Sequence, residues 1–287
     1  MTTFMLLALL AAPGPLGDRP PEARALIDEL LTPEEVPAPG FPYRSPELKG
    51  RPASGVRLRE VSAEKNQITD HDEWYARHDL PRCVGLLDPG SEQVPAETRW
   101  GRLHAYRAGP EVKVGIYVRP EPVSEAAVAP VDAAIYTEQF DYTAVLFSRD
   151  LVPTRVLRLV AFHPGILELS HAELVGTVLY FDANYNGYAS IMKKRTGYLI
   201  ALDLTTGRVL WTTKSLTASF WGFVVWQDVL VAGYGFTAEP DFLFLLDRDT
   251  GAVLQTVKLR TAHEVLIPRG DLLYVRCYDH DHVFRFE

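Results

Sequence analysis

The chain contains 287 residues, of which 47% are hydrophobic and 11% aromatic, so it has enough apolar side chains to bury the core of one or two domains. Its formal net charge is −8 and no basic run exceeds Lys193-Lys194-Arg195, which excludes the electrostatic footprint of a nucleic-acid-binding protein. Composition therefore favours a globular protein and indicates neither a ligand nor a reaction.

The chain opens with MTTFMLLALLAAPG, an apolar run that matches the hydrophobic region of a signal peptide and is too short to span a bilayer. No Lys or Arg precedes the run, and no clear A-x-A cleavage site or lipobox cysteine follows it. We expect export to the periplasm or the outside of the cell. A cytoplasmic protein is the alternative if this segment is not a signal.

A proline-rich arm comes next, since 10 of the 21 prolines lie between Pro13 and Pro52. Proline removes backbone donors and fixes φ, so an irregular linker or tethered arm is predicted over residues 1–54. One short helix is expected inside the arm, because apolar residues recur at helical spacing at Ala23, Leu26, Ile27, Leu30 and Leu31. Residues 55–287 are predicted to form the folded domain.

The polar segment 62–80 is compatible with a helix or with a surface loop. From about Trp100 onward, short runs rich in Val, Leu, Tyr and Phe alternate with Gly, Asp, Asn and Pro. This texture is typical of an all-β domain built from hairpins.

Two segments that begin 44 residues apart repeat one pattern. The first is Ala201-Leu-Asp203-Leu-Thr-Thr-Gly207-Arg-Val-Leu-Trp211, and the second is Leu245-Leu-Asp247-Arg-Asp-Thr-Gly251-Ala-Val-Leu-Gln255. An apolar hairpin precedes each copy. Further copies are predicted at residues 264–286 and, in degraded form, at residues 144–159. A fixed repeat period indicates a repeat architecture.

The best-preserved unit predicts four strands, at residues 223–226, 229–233, 242–246 and 252–257. A four-stranded sheet of this size cannot bury both faces alone, whereas blades packed around an axis cover one another. We therefore predict a β-propeller of four or five four-stranded blades, with residues 100–120 as the candidate fifth. The chain ends after the third strand of its last unit, so residues 55–61 are expected to complete that blade and close the ring; otherwise the molecule is an open arc.

Within each repeat, Asp203 or Asp247 can accept hydrogen bonds from the backbone amides that follow it. Gly207 or Gly251 can adopt the positive φ that returns the chain. These residues predict the turn between the third and fourth strands of a blade. Trp211 then offers a large apolar surface to the adjacent blade.

The spacing of Ala201, Asp203, Gly207 and Trp211 resembles the quinoprotein-like, or PQQ-like, β-propeller repeat. The resemblance is firm from about residue 175, and the second copy departs from it because it has Leu245 and Gln255. It implies that these residues tie blades together rather than hold a quinone. Because the vicinal cysteine pair of the quinoprotein dehydrogenases is absent from this sequence, we expect a non-catalytic member with no bound PQQ or other cofactor.

The other candidate motifs are better explained as turns and packed residues than as binding sites. Asp279-His280-Asp281-His282 carries metal-ligating residue types but lies where a hairpin turn is expected, and Asp70-His71-Asp72 with His78-Asp79 matches no standard metal spacing. Gly233-Tyr-Gly235 precedes no predicted helix, which argues against a dinucleotide site. Cys83 and Cys277 are expected to be separate packed thiols, although one disulfide between them stays open.

An insertion at residues 184–195 distinguishes one repeat from the next, and its Tyr185, Asn186, Tyr188 and basic trio form either a binding loop or an ordinary hairpin tip. The sequence therefore predicts a module that binds or scaffolds another protein through loops at one rim. The alternative is a small propeller hydrolase or cyclotransferase with a central acidic pocket. An aromatic rim patch favours the first, and carboxylates or histidines that converge on a channel favour the second.

Overall fold

The computed structural model describes residues 34–35, 55–66, 71–81, 94–110, 112–122, 138–148, 152–159, 168–185, 187–190, 192, 194–236 and 238–287. Within these residues the chain forms four β-sheets with mainly antiparallel strands, here called blades I to IV, and one helix. The structure confirms the predicted all-β fold with four-stranded blades. The apolar N-terminal run, the short helix predicted in the arm and Cys83 lie outside the described residues.

Blade I differs from its prediction. Its strands are β3 (Glu97–Thr98), β4 (Gly101–Ala108), β5 (Lys113–Pro122), β6 (Glu138–Phe147) and β7 (Pro153–Arg158). The short strand β1 (Glu34–Glu35) pairs in parallel with β7. Residues 100–120 are therefore not a fifth blade, because β5 pairs with β6 along its whole length and joins both hairpins into one sheet.

Blades II and III each follow the predicted order. Blade II consists of β8 (Ala172–Val175), β9 (Val178–Ala183), β10 (Tyr198–Asp203) and β11 (Arg208–Thr212). Blade III consists of β12 (Phe223–Trp226), β13 (Val229–Tyr234), β14 (Phe242–Asp247) and β15 (Val253–Lys258). The four strands predicted for the second copy are thus confirmed to within one residue at each end.

Blade IV is completed from a distant part of the chain. Its first three strands are β16 (His263–Arg269), β17 (Leu272–Cys277) and β18 (His280–Phe286). The fourth is β2 (Leu58–Lys65), which pairs antiparallel with β18. This confirms that an N-terminal segment supplies the missing strand. The closure of a ring stays a prediction.

The core lies between successive blades. Buried apolar side chains lie on both faces of the strands, so blades II and III each present one face to the preceding blade and one face to the following blade. One cluster joins blades I and II around Ile116 and Phe181, a second joins II and III around Trp211, and a third joins III and IV around Leu245 and Phe284. This face-to-face burial explains why the strands are apolar almost throughout.

The sequence allowed a helix or a surface loop over residues 62–80. The described residues of this segment form the end of a strand, a helix and a turn. Strand β2 extends to Lys65, and helix α1 (His71–Arg77) then packs Trp74 and Tyr75 onto the face of blade IV that points away from blade III. Arg269 of blade IV also donates a 2.8 Å hydrogen bond to Asp79. No helix within the described ranges is long and apolar enough to cross a membrane.

Candidate functional site

The two repeat segments form turns of the same geometry. In blade II, Asp203 accepts hydrogen bonds from the backbone amide and the hydroxyl of Thr205, and Gly207 has a φ of 68°. Although partial burial acts to raise it, these bonds and those from Thr206 hold the pKa of Asp203 below its usual value. In blade III, Asp247 accepts equivalent bonds from Thr250, and Gly251 also has a φ of 68°.

Trp211 and Gly251 meet across the joint between blades II and III. Trp211 lies opposite Ala201 on β10, and its indole Nε1 donates a 2.9 Å hydrogen bond to the carbonyl oxygen of Arg248 in the next blade. A methyl group on Gly251 would stand 2.6 Å from the indole ring, so only glycine lets the turn approach the tryptophan. The structure thus brings together the predicted residues of two successive copies.

Gln255 occupies the place of Trp211 in the next copy, opposite Leu245. Its amide donates a 2.9 Å hydrogen bond to the carbonyl oxygen of Leu58 and accepts a 2.8 Å bond from the amide of the same residue. Leu58 belongs to β2, so Gln255 binds the strand that completes blade IV. Trp211 and Gln255 therefore link neighbouring blades.

In an antiparallel blade, the connection between the second and third strands lies at the same end as the connection that leads to the next blade. At this end, blades II and III form a cleft that we call the rim cleft. It is lined by Asn184, Tyr185, Gly187, Thr196, Ala218, Ser219, Phe220, Trp221, Tyr234, Gly235, Phe236 and Glu239. The insertion at residues 184–195 thus contributes one wall, and the connection from blade II to blade III contributes another.

The walls of the rim cleft are mainly aromatic. Trp221 and Tyr188 beside it keep 37% and 38% of their surface exposed, and Tyr188 packs edge-on against Phe236 with ring centroids 4.9 Å apart. Two predicted residues of the insertion, Asn186 and Lys193, lie outside the described residues. The cavity volume is about 40 Å³, whereas sites for cofactors and drug-sized ligands usually measure about 300–1,000 Å³. The cleft is therefore small compared with such sites.

A buried carboxylate lies behind the rim cleft. Asp182 accepts 2.8 Å hydrogen bonds from the backbone amides of Ser170 and His171, and further bonds from the Ser170 hydroxyl and the Asn184 amide. Complete burial raises the pKa of Asp182 to about 6, against the opposing effect of these donors. Because all of its oxygens face protein donors, this carboxylate supports the cleft and has no free lone pair aimed at a ligand.

Asn184 connects the carboxylate to the cleft. Its Nδ2 donates to Asp182 and, over 3.0 Å, to the carbonyl oxygen of Ser219, and these acceptors fix the orientation of the amide. The residue is only 2% exposed, and its Oδ1 has no hydrogen-bond partner among the described residues. A buried acceptor without a donor is costly, so a donor that reached Oδ1 would relieve this cost.

Two carboxylates lie on the blade III side of the cleft. Glu239 accepts a hydrogen bond from the Tyr234 hydroxyl and a 2.9 Å bond from the amide of Ala189. Asp241 lies so close to Gly235 that a methyl group there would meet its Oδ1 at 2.0 Å. Burial, together with the charges of Asp279 and Glu239, raises the pKa of Asp241 to about 6. This part of the rim therefore carries negative potential.

The other polar candidates are structural. Residues 280–282 were expected in a turn, but they belong to β18 because the turn is limited to Tyr278 and Asp279; His282 binds Glu60 on β2 over 2.8 Å. No group of three potential metal ligands occurs among the described residues. Strand β13 ends at Tyr234, and no helix follows it in the described part of the chain. Cys277 is buried and forms no disulfide with any described residue.

A second polar group lies on β4 of blade I and at the start of β8 in blade II. His171 contacts Glu173 over 3.1 Å, and Arg107 lies 4.0 Å from the same carboxylate while donating to the carbonyl oxygen of Ala172. Although burial opposes it, the bond from His171 and the two neighbouring charges lower the pKa of Glu173. The Arg107 guanidinium and the Glu173 carboxylate thus form an ion pair across the joint between blades I and II.

Sequence reasoning missed several residues of the cleft. Trp221, Ser219, Glu239 and Asp241 stand in short connections with no motif, and only the register of blades II and III brings them to Tyr185. Asn184 was named only as the start of the insertion. Its position two residues after a buried Asp at the end of an apolar strand is a signal that could have been followed.

No protein-family model matches the sequence, and no curated protein matches it. Matching solved structures include the Dos1 propeller, with 11% identity, 63% of this chain covered and a TM-score of 0.40. A second is the β-propeller domain of the Trilobed protease from Pyrococcus furiosus, with 12% identity, 62% of this chain covered and a TM-score of 0.37. A third is BamB from Moraxella catarrhalis, with 13% identity, 55% of this chain covered and a TM-score of 0.26. This chain spans about half of each, namely 42%, 48% and 58% of their lengths.

Proposed function

We propose that this chain is a non-catalytic, PQQ-like β-propeller that binds another protein through the rim cleft. The observation that carries the proposal is the exposed aromatic surface formed by Trp221 and Tyr188 around a small cavity. Tyrosine and tryptophan are enriched in the parts of protein interfaces that contribute most to affinity. A partner segment that inserts one side chain would bury both rings.

The rigidity of the cleft supports this role. The wall formed by Asn184 is anchored to Asp182, and the opposite wall is held by the hydrogen bonds of Glu239 to Tyr234 and Ala189. A preformed site loses little conformational entropy on binding, which increases affinity for a given contact area. Membership of the PQQ-like family rests on the Asp/Gly turns and on Trp211, which ties blade II to blade III.

The experiment is affinity capture from the native host with the full chain and two variants. Trp221→Ala removes an exposed apolar side chain at the cleft, and Val253→Ala removes one that is 49% exposed at the opposite end of the same blade. We expect one protein to be retained by the wild type and by Val253→Ala, and retention to fall by about tenfold or more with Trp221→Ala. Equal capture by all three proteins would contradict the proposal.

We also propose that the protein works outside the cytoplasm. The support is the apolar run of the first residues, MTTFMLLALLAAPG, which has the length of a signal-peptide core. N-terminal sequencing of protein purified from each cell fraction tests this. A shortened chain in the periplasm or medium is expected, and an intact Met1 in the cytoplasmic fraction alone would refute export.

A further inference from the structure

The charged side chains described in the walls of the rim cleft are acidic. Glu239 lines the cleft, Asp241 adjoins Gly235 in its wall, and none of the described lining residues is basic. The aromatic rings of Tyr185, Trp221 and Phe236 add the negative faces of their π systems. A cation that enters the cleft therefore meets favourable electrostatics on several sides.

Asn184, which lines the cleft, carries a buried acceptor that lacks a donor. Asn184 is 2% exposed, and its Nδ2 already donates to Asp182 and Ser219, so its Oδ1 cannot be exchanged for the NH2 group without losing those bonds. Oδ1 has no partner among the described residues. A ligand that donates an N–H removes the cost of this buried, unpaired acceptor. This requirement is independent of the charge of the carboxylates.

We propose that the rim cleft binds a basic side chain, arginine or lysine, on the partner segment that docks at this rim. This inference rests on the proposed protein-binding function and specifies the chemistry that the site recognises. The ammonium or guanidinium group donates to Asn184 Oδ1 and lies near Glu239 and Asp241, and its aliphatic stem packs along Trp221. The small cavity would take a single such side chain.

Binding is expected to depend on pH, because burial and the charges of Asp279 and Glu239 raise the pKa of Asp241 to about 6. Asp279 itself contacts His280 at 2.9 Å, Arg260 at 3.5 Å and the Thr261 hydroxyl. A bound cation favours ionised Asp241, so binding releases a proton near pH 6. Affinity for a basic segment should therefore rise between pH 5 and pH 7.

The first test selects random peptides displayed on phage against the full wild-type chain and against Trp221→Ala. Enrichment of Arg or Lys at one position, lost in the variant, supports the inference. Enrichment of acidic or apolar peptides that also depends on Trp221 overturns the inference and leaves the proposed protein-binding function standing. No enrichment, or enrichment that both proteins share equally, overturns both.

The second test titrates a selected peptide and its citrulline or norleucine analogue, which keeps the shape and lacks the charge. Neutral replacement should weaken binding to the wild type about tenfold. Glu239→Gln should reduce the difference between the two peptides severalfold, and Asp241→Asn should remove the increase between pH 5 and pH 7. Asp271→Asn, which removes one charge at the opposite end of the blades, is the control and should change neither. Equal affinities of the charged and neutral peptides for the wild type would refute the inference.

Discussion

The joints between blades II and III and between blades III and IV use the same position of the repeat in different ways. At the first joint, the Trp211 indole packs on Gly251 of the next turn. At the second joint, Gln255 binds both the amide and the carbonyl oxygen of Leu58. The first joint connects consecutive segments of chain, whereas the second holds a strand that is 197 residues away in sequence.

This difference follows from what each joint must specify. Non-directional apolar contact and a single hydrogen bond from the Trp211 indole to Arg248 suffice for blades II and III, because the connection between them already limits their arrangement. Strand β2 arrives from a distance, and a slip of one residue would turn its buried face outward. The paired hydrogen bonds of Gln255 recognise the backbone of Leu58 and thus fix the register of β2.

The buried polar groups near the two joints also differ. Near the first, Asp182 has a complete set of donors from Ser170, His171 and Asn184. At the second, the imidazole of His263 is fully buried next to Gly233, and burial lowers the pKa of His263 to about 4. One joint thus contains a compensated polar network and the other contains an imidazole that stays neutral in the fold.

The largest expected effect comes from truncating the two repeat positions. Trp211→Ala leaves a cavity between blades and should reduce the free energy of unfolding by about 3–5 kcal/mol. Gln255→Ala removes two hydrogen bonds to Leu58 and should cost about 2 kcal/mol. Urea denaturation at pH 7 measures both values. A Gln255 effect equal to or larger than that of Trp211 would reverse the proposed division between packing and register.

The buried imidazole makes the second joint sensitive to acid. The folded pKa of His263, about 4, is below its unfolded value of 6.5, so unfolded chains bind the proton first as the pH falls. Stability is therefore lost between pH 6.5 and pH 4, by roughly 3 kcal/mol.

The pKa of Asp182 is raised to about 6, which acts in the opposite direction between pH 6 and pH 3.8 and obscures the effect in the wild type alone. The measurement is therefore the difference in unfolding free energy between the wild type and His263→Leu. That difference should shift by roughly 3 kcal/mol in favour of the variant from pH 7 to pH 4. A constant difference would show that His263 titrates normally.

The contact between Trp211 and Gly251 can be separated from backbone strain. Gly251→Ala forces an alanine into a positive φ and places its methyl group against the indole, so a cost of about 2–3 kcal/mol is expected. Gly270→Ala has a similar φ of 62° and open space around it, and should cost about 1 kcal/mol. Equal losses in thermal or urea unfolding would mean that Gly251 is required for its conformation alone.

The features that the sequence predicted are local ones. The strands of blade III and the Asp/Gly turns depend on neighbouring residues, and β2 followed from the missing fourth strand of blade IV. Blade I was divided incorrectly because the pairing of β5 with β6 joins strands separated by residues 123–137, which carry no repeat signal.

The candidate site was less predictable for a physical reason. Tyr185 could be named because it lies in an insertion, but Trp221 and Glu239 join it only when blades II and III pack in register. The missing donor of Asn184 depends on three-dimensional contacts with Asp182 and Ser219. Such complementarity between blades has no short-range sequence pattern.

The smallest expected effect tests whether the turn before the Trp211 joint depends on charge. Asp203→Asn weakens the hydrogen bonds from Thr205 and Thr206 and should cost about 0.5–1 kcal/mol at pH 7. Because the folded pKa of Asp203 is lowered, its stabilisation is present above pH 3.8 and is lost as the pH falls further. Wild type and variant should thus converge in acid, as measured by urea unfolding. Asp249→Asn, at the exposed tip of the next turn, is the control and should show a smaller effect. If the loss of unfolding free energy at pH 7 persisted unchanged at pH 3, the shape of Asp203 rather than its charge would stabilise the turn. The two joints would then differ only in the residue that follows the turn.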